Sequence, residues 1–591
     1  MVIAGPGSGK TTVITHRTKH LIEHGVRPEN ILVITFSKAA ALEMQHRFTT
    51  LCEKKSESVI FGTFHSVFFQ ILRVAYGYTG ANIVRDEWKY QFAKQFLAES
   101  DMEYEEEKEL IGKLFQEVGI VKNSMISLQH YYATSCSAGQ FRDFYHQYEQ
   151  FLRTNGFLDF DDMLIFCYDL LSKRPDIRKK WQTKFQYILV DEFQDINSIQ
   201  YRTVQLLAGY QNNLFIVGDD DQSVYRFRGA KPEIMQQFLK DYPNAETITL
   251  NINYRCGSEI TKISNRLIKQ NRLRFQKEIL SSGQSEQGLV TVKHFRTQRE
   301  ENLFIIKEIQ KKLREGRSLK EIALLYRTNS GPRFIMEQLS GFNISYVSKD
   351  QIPSLYNHWI VRDLFTYIKI AKGERTRRNF LRIMNRPNRY LSREGLPGDS
   401  IDIDKWKLFY LKQNWMVRRL EKLRIDLEVL SSMRPYTALL YIRKGIDYQK
   451  YIFSYAKERG VEEEELFEIL EEITEYAKEY SSFEEWFQVI EKTETERIGQ
   501  NRKGRAEIEA DAVVISTYHS AKGLEYDTVF LPDLNENVIP YKKATLVEEI
   551  EEERRMLYVA MTRAKKELYL TYSDKIHNKD MDPSRFLGEI T

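Results

Sequence analysis

The stretch Ala4-Gly5-Pro6-Gly7-Ser8-Gly9-Lys10-Thr11-Thr12 carries the residue types that hold a polyphosphate. Gly5, Gly7 and Gly9 let the backbone curl until successive N–H groups and a helix N-terminus face one anion. Lys10 then reaches the outer phosphates, the Thr11 hydroxyl faces Mg²⁺, and Ser8 and Thr12 complete the binding stretch. Ala4 stands where the usual pattern has a fourth glycine. Hydrolysis needs two further groups, a carboxylate for the metal and one for the attacking water. Asp191-Glu192 follows the apolar run Ile188-Leu189-Val190, so Asp191 suits the metal and Glu192 suits the role of base.

These groups need strands that end at one edge. Val2-Ile3 before the loop and a helix-compatible run from Val13 to Glu23 after it supply the strand, turn and helix context of a phosphate loop. Ile31–Phe36, Val59–Phe61, Tyr187–Val190 and Leu214–Val217 read as short buried strands, with a helical run over Lys38–Phe48. Between them, from about Gly77 to Asn155, strand signals fade into aromatic and acidic helical stretches such as Asp101–Gln116. A second alternating region from Thr247 includes Leu289–Val292 and Ile322–Leu325. About 150 mostly helical residues follow, an exit linker is expected at Gly499–Gly504, and strands return at Ala512–Ile515, Thr528–Leu531 and Leu568–Thr571. The expected fold class is α/β: two lobes of parallel sheet flanked by helices, each interrupted by a mainly helical insert. The boundaries are 1–76, 77–155 (insert) and 156–246 for the first lobe, then 247–352, 353–505 (insert) and 506–591 for the second.

A chain of 591 residues exceeds one core and calls for several domains. No apolar run is long enough to span a bilayer, and neither a secretory leader nor a membrane partner is expected, so the location is expected to be cytoplasmic. Cys52, Cys136, Cys167 and Cys256 have no paired spacing, which argues against a zinc ribbon or an iron–sulfur cluster. A net charge of +4 says little about a polyanionic partner, but charge is segregated: Arg375, Arg377, Arg378, Arg382, Arg386 and Arg389 cluster, and Glu462–Glu479 is acidic. Such runs either steer a polyanion or form solvated helix faces.

Five further stretches carry a resemblance. Val190-Asp-Glu-Phe-Gln-Asp195, Val217–Ala230, Asn253-Tyr-Arg255, Thr517–Glu525 and Glu553–Arg563 resemble, in order, the motifs of UvrD/Rep/PcrA-type superfamily 1 DNA helicases. The resemblance implies two RecA-like lobes, ATP and Mg²⁺ as cofactors, and single-stranded DNA and single/double-strand junctions as partners, with movement 3′ to 5′. It also makes Gln222 the sensor that couples nucleotide to DNA, and Arg255 and Arg563 arginine fingers from the second lobe. Tyr254 resembles the residue that stacks on adenine and Glu525 the one that meets the ribose. Phe36, Thr63, His65, Tyr225, Phe227 and Arg228 resemble the lining of a single-strand channel, whose aromatic faces grip any base. Taken singly, Phe36 and Phe64 also suit a core. Phe160-Asp161-Asp162 matches a family signature and equally suits a helix cap.

Two departures stand out. The family's adenine-reading glutamine segment precedes the loop, and this sequence starts after it, so either the sequence is truncated or base selectivity rests elsewhere. Where the family presents a Gly-Ile-Gly-like turn to duplex DNA, the corresponding stretch is Arg389-Tyr390-Leu391-Ser392. Side chains there hold the backbone farther from phosphate than glycine would. Alternative readings are therefore a translocase or DNA-responsive defence sensor without processive unwinding, and an idle DNA-binding scaffold.

Overall fold

Six short runs of branched apolar residues build the first sheet: Val2–Ala4 (β1), Ile31–Thr35 (β2), Ile60–Thr63 (β3), Tyr187–Val190 (β4), Leu214–Gly218 (β5) and Ile248–Leu250 (β6). This is a computed structural model, and it describes residues 1–52, 58–100, 102, 107–124, 126–226, 229–283, 287–396, 398–459, 462–503 and 511–590. The strands lie in the order β3-β2-β4-β5-β1-β6, every pair parallel. A parallel sheet is covered on both faces, and the period of two divides its residues accordingly. Leu32, Ile34, Ile188 and Val190 enter a core with Phe64, Phe68, Leu164 and Val204, whereas Ile31, Val33 and Leu189 enter a separate one with Ile14, Met44 and Phe48. Phe64 is therefore a core residue, as its apolar setting allowed.

β6 joins this first sheet, pairing with β1 through Val2 and Ile248, although the second alternating region was expected to start at Thr247. The second sheet begins with Leu289–Phe295 (β9), after a two-residue pairing of Ile252–Asn253 (β7) with Leu280–Ser281 (β8). It continues with Ile322–Tyr326 (β10), Tyr346–Ser348 (β11), Val513–Thr517 (β12), Tyr526–Leu531 (β13) and Ala564–Ser573 (β14), in the order β11-β12-β10-β13-β14-β9. The chain divides into two compact units, Met1–Val290 with Lys543–Glu567 and Gly588–Thr591, and Thr291–Lys542 with Leu568–Leu587.

The first helical insert packs Asp86–Glu99, Glu107–Ser124 and Ala138–Thr154 around Leu114, Phe141, Phe144 and Tyr148. The acidic trio after it is a cap and an anchor: Asp159 caps helix Phe160–Lys173 in a reciprocal pair with Asp162. Lys122, buried, binds Asp159 at 2.9 Å and Asp162 at 2.7 Å, and Asn123 donates to Asp161 at 2.7 Å. In the second insert, Trp359, Trp406 and Trp486 share one core. Its last helix, Phe483–Lys503, runs through most of the expected linker, because a single Gly499 costs a helix only about 1 kcal/mol. Residues 504–510 lie outside the described set.

The basic run turns inward. Arg382 and Arg386 bind the buried carboxylate of Asp363 at 2.6 and 3.0 Å, and Arg377 donates to the carbonyls of Leu396 and Arg393. Arg389 is buried and donates to the carbonyls of Ile383, Met384 and Pro387. Four of the six arginines thus serve internal acceptors and brace the insert, while Arg375 and Arg378 stay exposed. No helix among the described residues is long and apolar enough to cross a membrane.

Candidate active site

In a parallel sheet every strand delivers its C-terminal residue to the same edge, where α/β proteins bind ligands. The register aligns them: Ile34 pairs with Val190 and Val190 with Ile216, while Ile3 pairs with Gly218. Ala4, Thr35, Asp191 and Asp219 follow within a residue of these pairs, and Asp191 N donates to Ile34 O at 2.8 Å.

The candidate phosphate loop is shaped by its glycines. Gly9 at φ 87° starts helix Lys10–Glu23, whose first turn has no acidic residue to compete with an anion. Gly7, at φ 65°, lies so close to Asn253 and Arg255 that a Cβ there would stand 2.7 Å from Arg255 Cβ, and a Cβ on Gly5 would collide with Ile279. Ser8 is buried and its Oγ donates to Gly5 O at 2.8 Å, whereas Thr11 is partly exposed and Thr12 exposed.

Asp191 is buried and its Oδ1 has no hydrogen-bond partner. Burial first, then the neighbouring Glu192, push its carboxyl up to about 7, with Lys10 acting in the opposite direction. An orphaned carboxylate oxygen beside a phosphate loop is the donor a hard divalent cation requires, so these residues fit Mg²⁺. Glu192 adopts φ 50°, a left-handed conformation costly for a residue with a side chain, and its Oε1 stands 3.9 Å from Lys10 Nζ.

Gln194, for which the sequence suggested no role, joins the strand ends. Its amide nitrogen donates to Glu192, and its Oε1 accepts from Asp219 N at 2.9 Å. Asp219 in turn accepts from Gln222 Nε2 at 2.5 Å, and a Cβ on Gly218 would come within 2.9 Å of the Gln194 oxygen. Behind this row sits Lys277, fully buried, 2.7 Å from Asp219, 3.1 Å from Asp221 and also bound to Asp220. Arg274 adds a bidentate pair to Asp221 at 2.9 and 2.7 Å. Carboxylate oxygens of Asp219, Asp220 and Asp221 lie within 4.8 Å of one another, as in a metal site, but the ammonium occupies their centre. Burial alone would lower the Lys277 pKa; the three aspartates outweigh it and hold the pKa above its usual value. Lys277 is 58 residues from Asp219, beyond the reach of any local sequence signal.

Arg255, Arg563, Gln222 and Tyr254 are grouped with Lys10 in one compact unit. Tyr254 N donates to Gly7 O at 3.0 Å and β7 leads through Tyr254 into Arg255, whereas Arg563 immediately precedes β14 of the second sheet. Arg255 Nη1 approaches Thr562 O at 3.5 Å, and the adjacent Arg563, 1% exposed, donates to Val559 O at 2.8 Å. Tyr254 is 61% exposed, leaving a free face for stacking. Glu525 is exposed just before β13, in the second unit.

The strand-gripping candidates emerge from the same edge. Phe36 follows β2, Thr63 ends β3 and caps helix Phe64–Tyr76, and His65 lies edge-on to Phe160 at 5.9 Å. Burial lowers the His65 pKa and favours the neutral ring. Phe36 and Tyr225 stack with centroids 5.0 Å apart and planes 11° apart. Phe227 and Arg228 lie outside the described residues. Replacing either Tyr225 by Ser or Phe36 by Ala is expected to weaken binding of an oligo-dT by about 1–3 kcal/mol in an anisotropy titration. Unchanged binding in both variants would make the pair a structural contact.

Comparisons with known proteins place the chain among helicases. The family model for the UvrD/REP helicase N-terminal domain matches residues 1–243, and that for the UvrD-like helicase C-terminal domain matches 248–398 and 404–575. YjcD of Bacillus subtilis is 33% identical over 611 residues, covering 99% of this chain and 78% of its own length. The ATP-dependent DNA helicase PcrA of the same organism is 32% identical over 627 residues (100% and 83%), and that of Staphylococcus aureus 31% over 628 (100% and 84%).

Proposed function

Because the chain belongs to the UvrD/Rep family of ATP-dependent DNA helicases, we propose that it is a motor that hydrolyses ATP, moves 3′ to 5′ on single-stranded DNA and separates strands at junctions. The observation that carries this reading is the strand-edge row of Lys10, Asp191, Glu192 and Gln222, with the buried Asp191 Oδ1 lacking a hydrogen-bond partner. Lys10 and the loop N–H groups bind the phosphates, and Glu192 orients the attacking water and takes its proton. Thr11 and Asp191 would hold Mg²⁺, which supplies charge neutralisation on the phosphates when bound. Arg255 and Arg563 add positive charge to the transferring group, and Tyr254 stacks on the base.

Coupling to DNA runs through one loop. Gln222, bonded to Asp219 on the catalytic side, is three residues from Tyr225, which stacks on Phe36. A shift of Gln222 with the state of the nucleotide therefore moves a residue of the strand grip. Polarity rests on resemblance to the family. A second reading, translocation without unwinding, is favoured by Tyr390 at the turn where duplex contact is expected. Phosphate release with and without oligo-dT, beside translocation and forked-duplex assays with either tail polarity, tests both. Absence of DNA-stimulated turnover would end the motor reading; stepping without strand separation would select the second.

A further inference from the structure

Five large apolar side chains of the second insert face solvent within residues 390–415: Tyr390 (64% exposed), Leu408, Phe409, Leu411 and Trp415 (50%). The turn that presents Tyr390 is heavily built. Asn385 Oδ1 accepts from Leu391 N and its Nδ2 donates to Leu391 O, both at 2.9 Å, and Asn388 Oδ1 accepts from Tyr390 N at 3.0 Å. Tyr410 Oη accepts from Ser392 N at 2.6 Å, and the buried Arg389 fastens the turn to three carbonyls beneath it. All this holds Tyr390 at φ 57°, where a side chain costs about 1–2 kcal/mol relative to the ordinary conformation. Strain retained around an exposed ring points to a use for the ring.

The ring has partners. The Arg419 guanidinium lies 5.2 Å from the Tyr390 ring centroid and 4.7 Å from that of Trp415, and its Nη1 donates to Arg389 O at 2.9 Å. Two exposed aromatic rings are thus fixed to one cation. Over residues 388–419 the chain has seven Lys or Arg against four Asp or Glu, and Arg393, Lys412 and Arg418 are exposed. Flat π faces flanked by positive charge fit a polyanion that carries flat rings.

We propose that Tyr390, Trp415 and Arg419 form a stacking platform for an unpaired nucleobase, at a fork, gap or strand end, in place of a contact with the phosphate ridge of continuous duplex. This rests on the DNA-motor reading and adds to it a preference for branched or frayed DNA.

Trp415 is the exposed one of six tryptophans, so its fluorescence reports the platform. Titrating the full chain with a forked duplex bearing unpaired dT arms is expected to quench that signal, and Trp415→Phe to abolish the change. A hairpin-capped duplex of equal length should quench little. Tyr390→Gly is the discriminating variant: glycine relieves the backbone strain, so thermal stability should hold or rise. Fork affinity should nevertheless fall about five- to tenfold, with Tyr390→Phe restoring it. Stimulation of ATP turnover by saturating short oligo-dT should be unchanged. Fork affinity within twofold of wild type in Tyr390→Gly/Trp415→Ala would overturn the proposal, as would equal quenching by capped duplex. A concentration-dependent self-association seen by sedimentation velocity and lost in Tyr390→Gly would overturn it in favour of a second copy. Wild-type turnover indifferent to any DNA would instead refute the motor reading.

Discussion

Glu192→Gln is expected to reduce ATP turnover by about 10²–10⁴, the range supplied by a positioned general base, while binding of single-stranded DNA survives. The amide keeps the size of the carboxylate but cannot take a proton at neutral pH. Phe36 and Tyr225, on other loops of the edge, are untouched by the exchange. Steady-state phosphate release with saturating oligo-dT, beside an anisotropy titration, measures both quantities. Turnover within tenfold of wild type would remove Glu192 as the base and shift attention to Asp191 or Asp195. Lys10→Ala should also abolish turnover, through loss of phosphate binding, and the two variants separate in nucleotide affinity: it falls for Lys10→Ala and holds for Glu192→Gln. The left-handed φ of 50° at Glu192 sharpens this expectation, since a residue without a catalytic duty gains nothing from it.

Lys277→Met is expected to have the second large effect, on stability and coupling together. The ammonium is buried among three carboxylates, and of these Arg274 forms its bidentate pair with Asp221. Removing one partner of a buried charge cluster costs about 3–5 kcal/mol, because the remaining charges stay desolvated. Equilibrium unfolding should show that loss. Asp220→Asn in the same background should recover much of it, since it neutralises one uncompensated carboxylate and spares Asp219, which holds Gln222. In the recovered double variant, DNA stimulation of turnover should remain depressed if Lys277 acts through Asp219 on the sensor. An unfolding midpoint equal to wild type in Lys277→Met would show that the cluster rearranges or protonates without cost.

The candidate site was proposed from the linear chain because its groups are local to strand ends. A glycine loop after a buried strand, and an acidic pair after another, declare both their chemistry and the edge they will share. The two parallel sheets and the helical inserts were legible for the same reason: periodicity of two or 3.6 reports which faces are buried. Phe36 and Phe64 show where that reasoning stops. Both follow apolar strands, yet Phe64 starts a helix and enters the core, whereas Phe36 sits in a loop and meets Tyr225.

What the residue order determined was thus the alternation of strand and helix, with a candidate phosphate loop and candidate carboxylates at the strand ends. Tertiary structure alone decided that β6 extends the first sheet, that most of the basic run is spent on carbonyls and Asp363, and that Lys277 neutralises the turn leading to Gln222. The physical reason is range. Backbone dihedrals and burial patterns are set by neighbours within a few residues, but a buried charge takes whatever opposite charge the chain crossing brings to it.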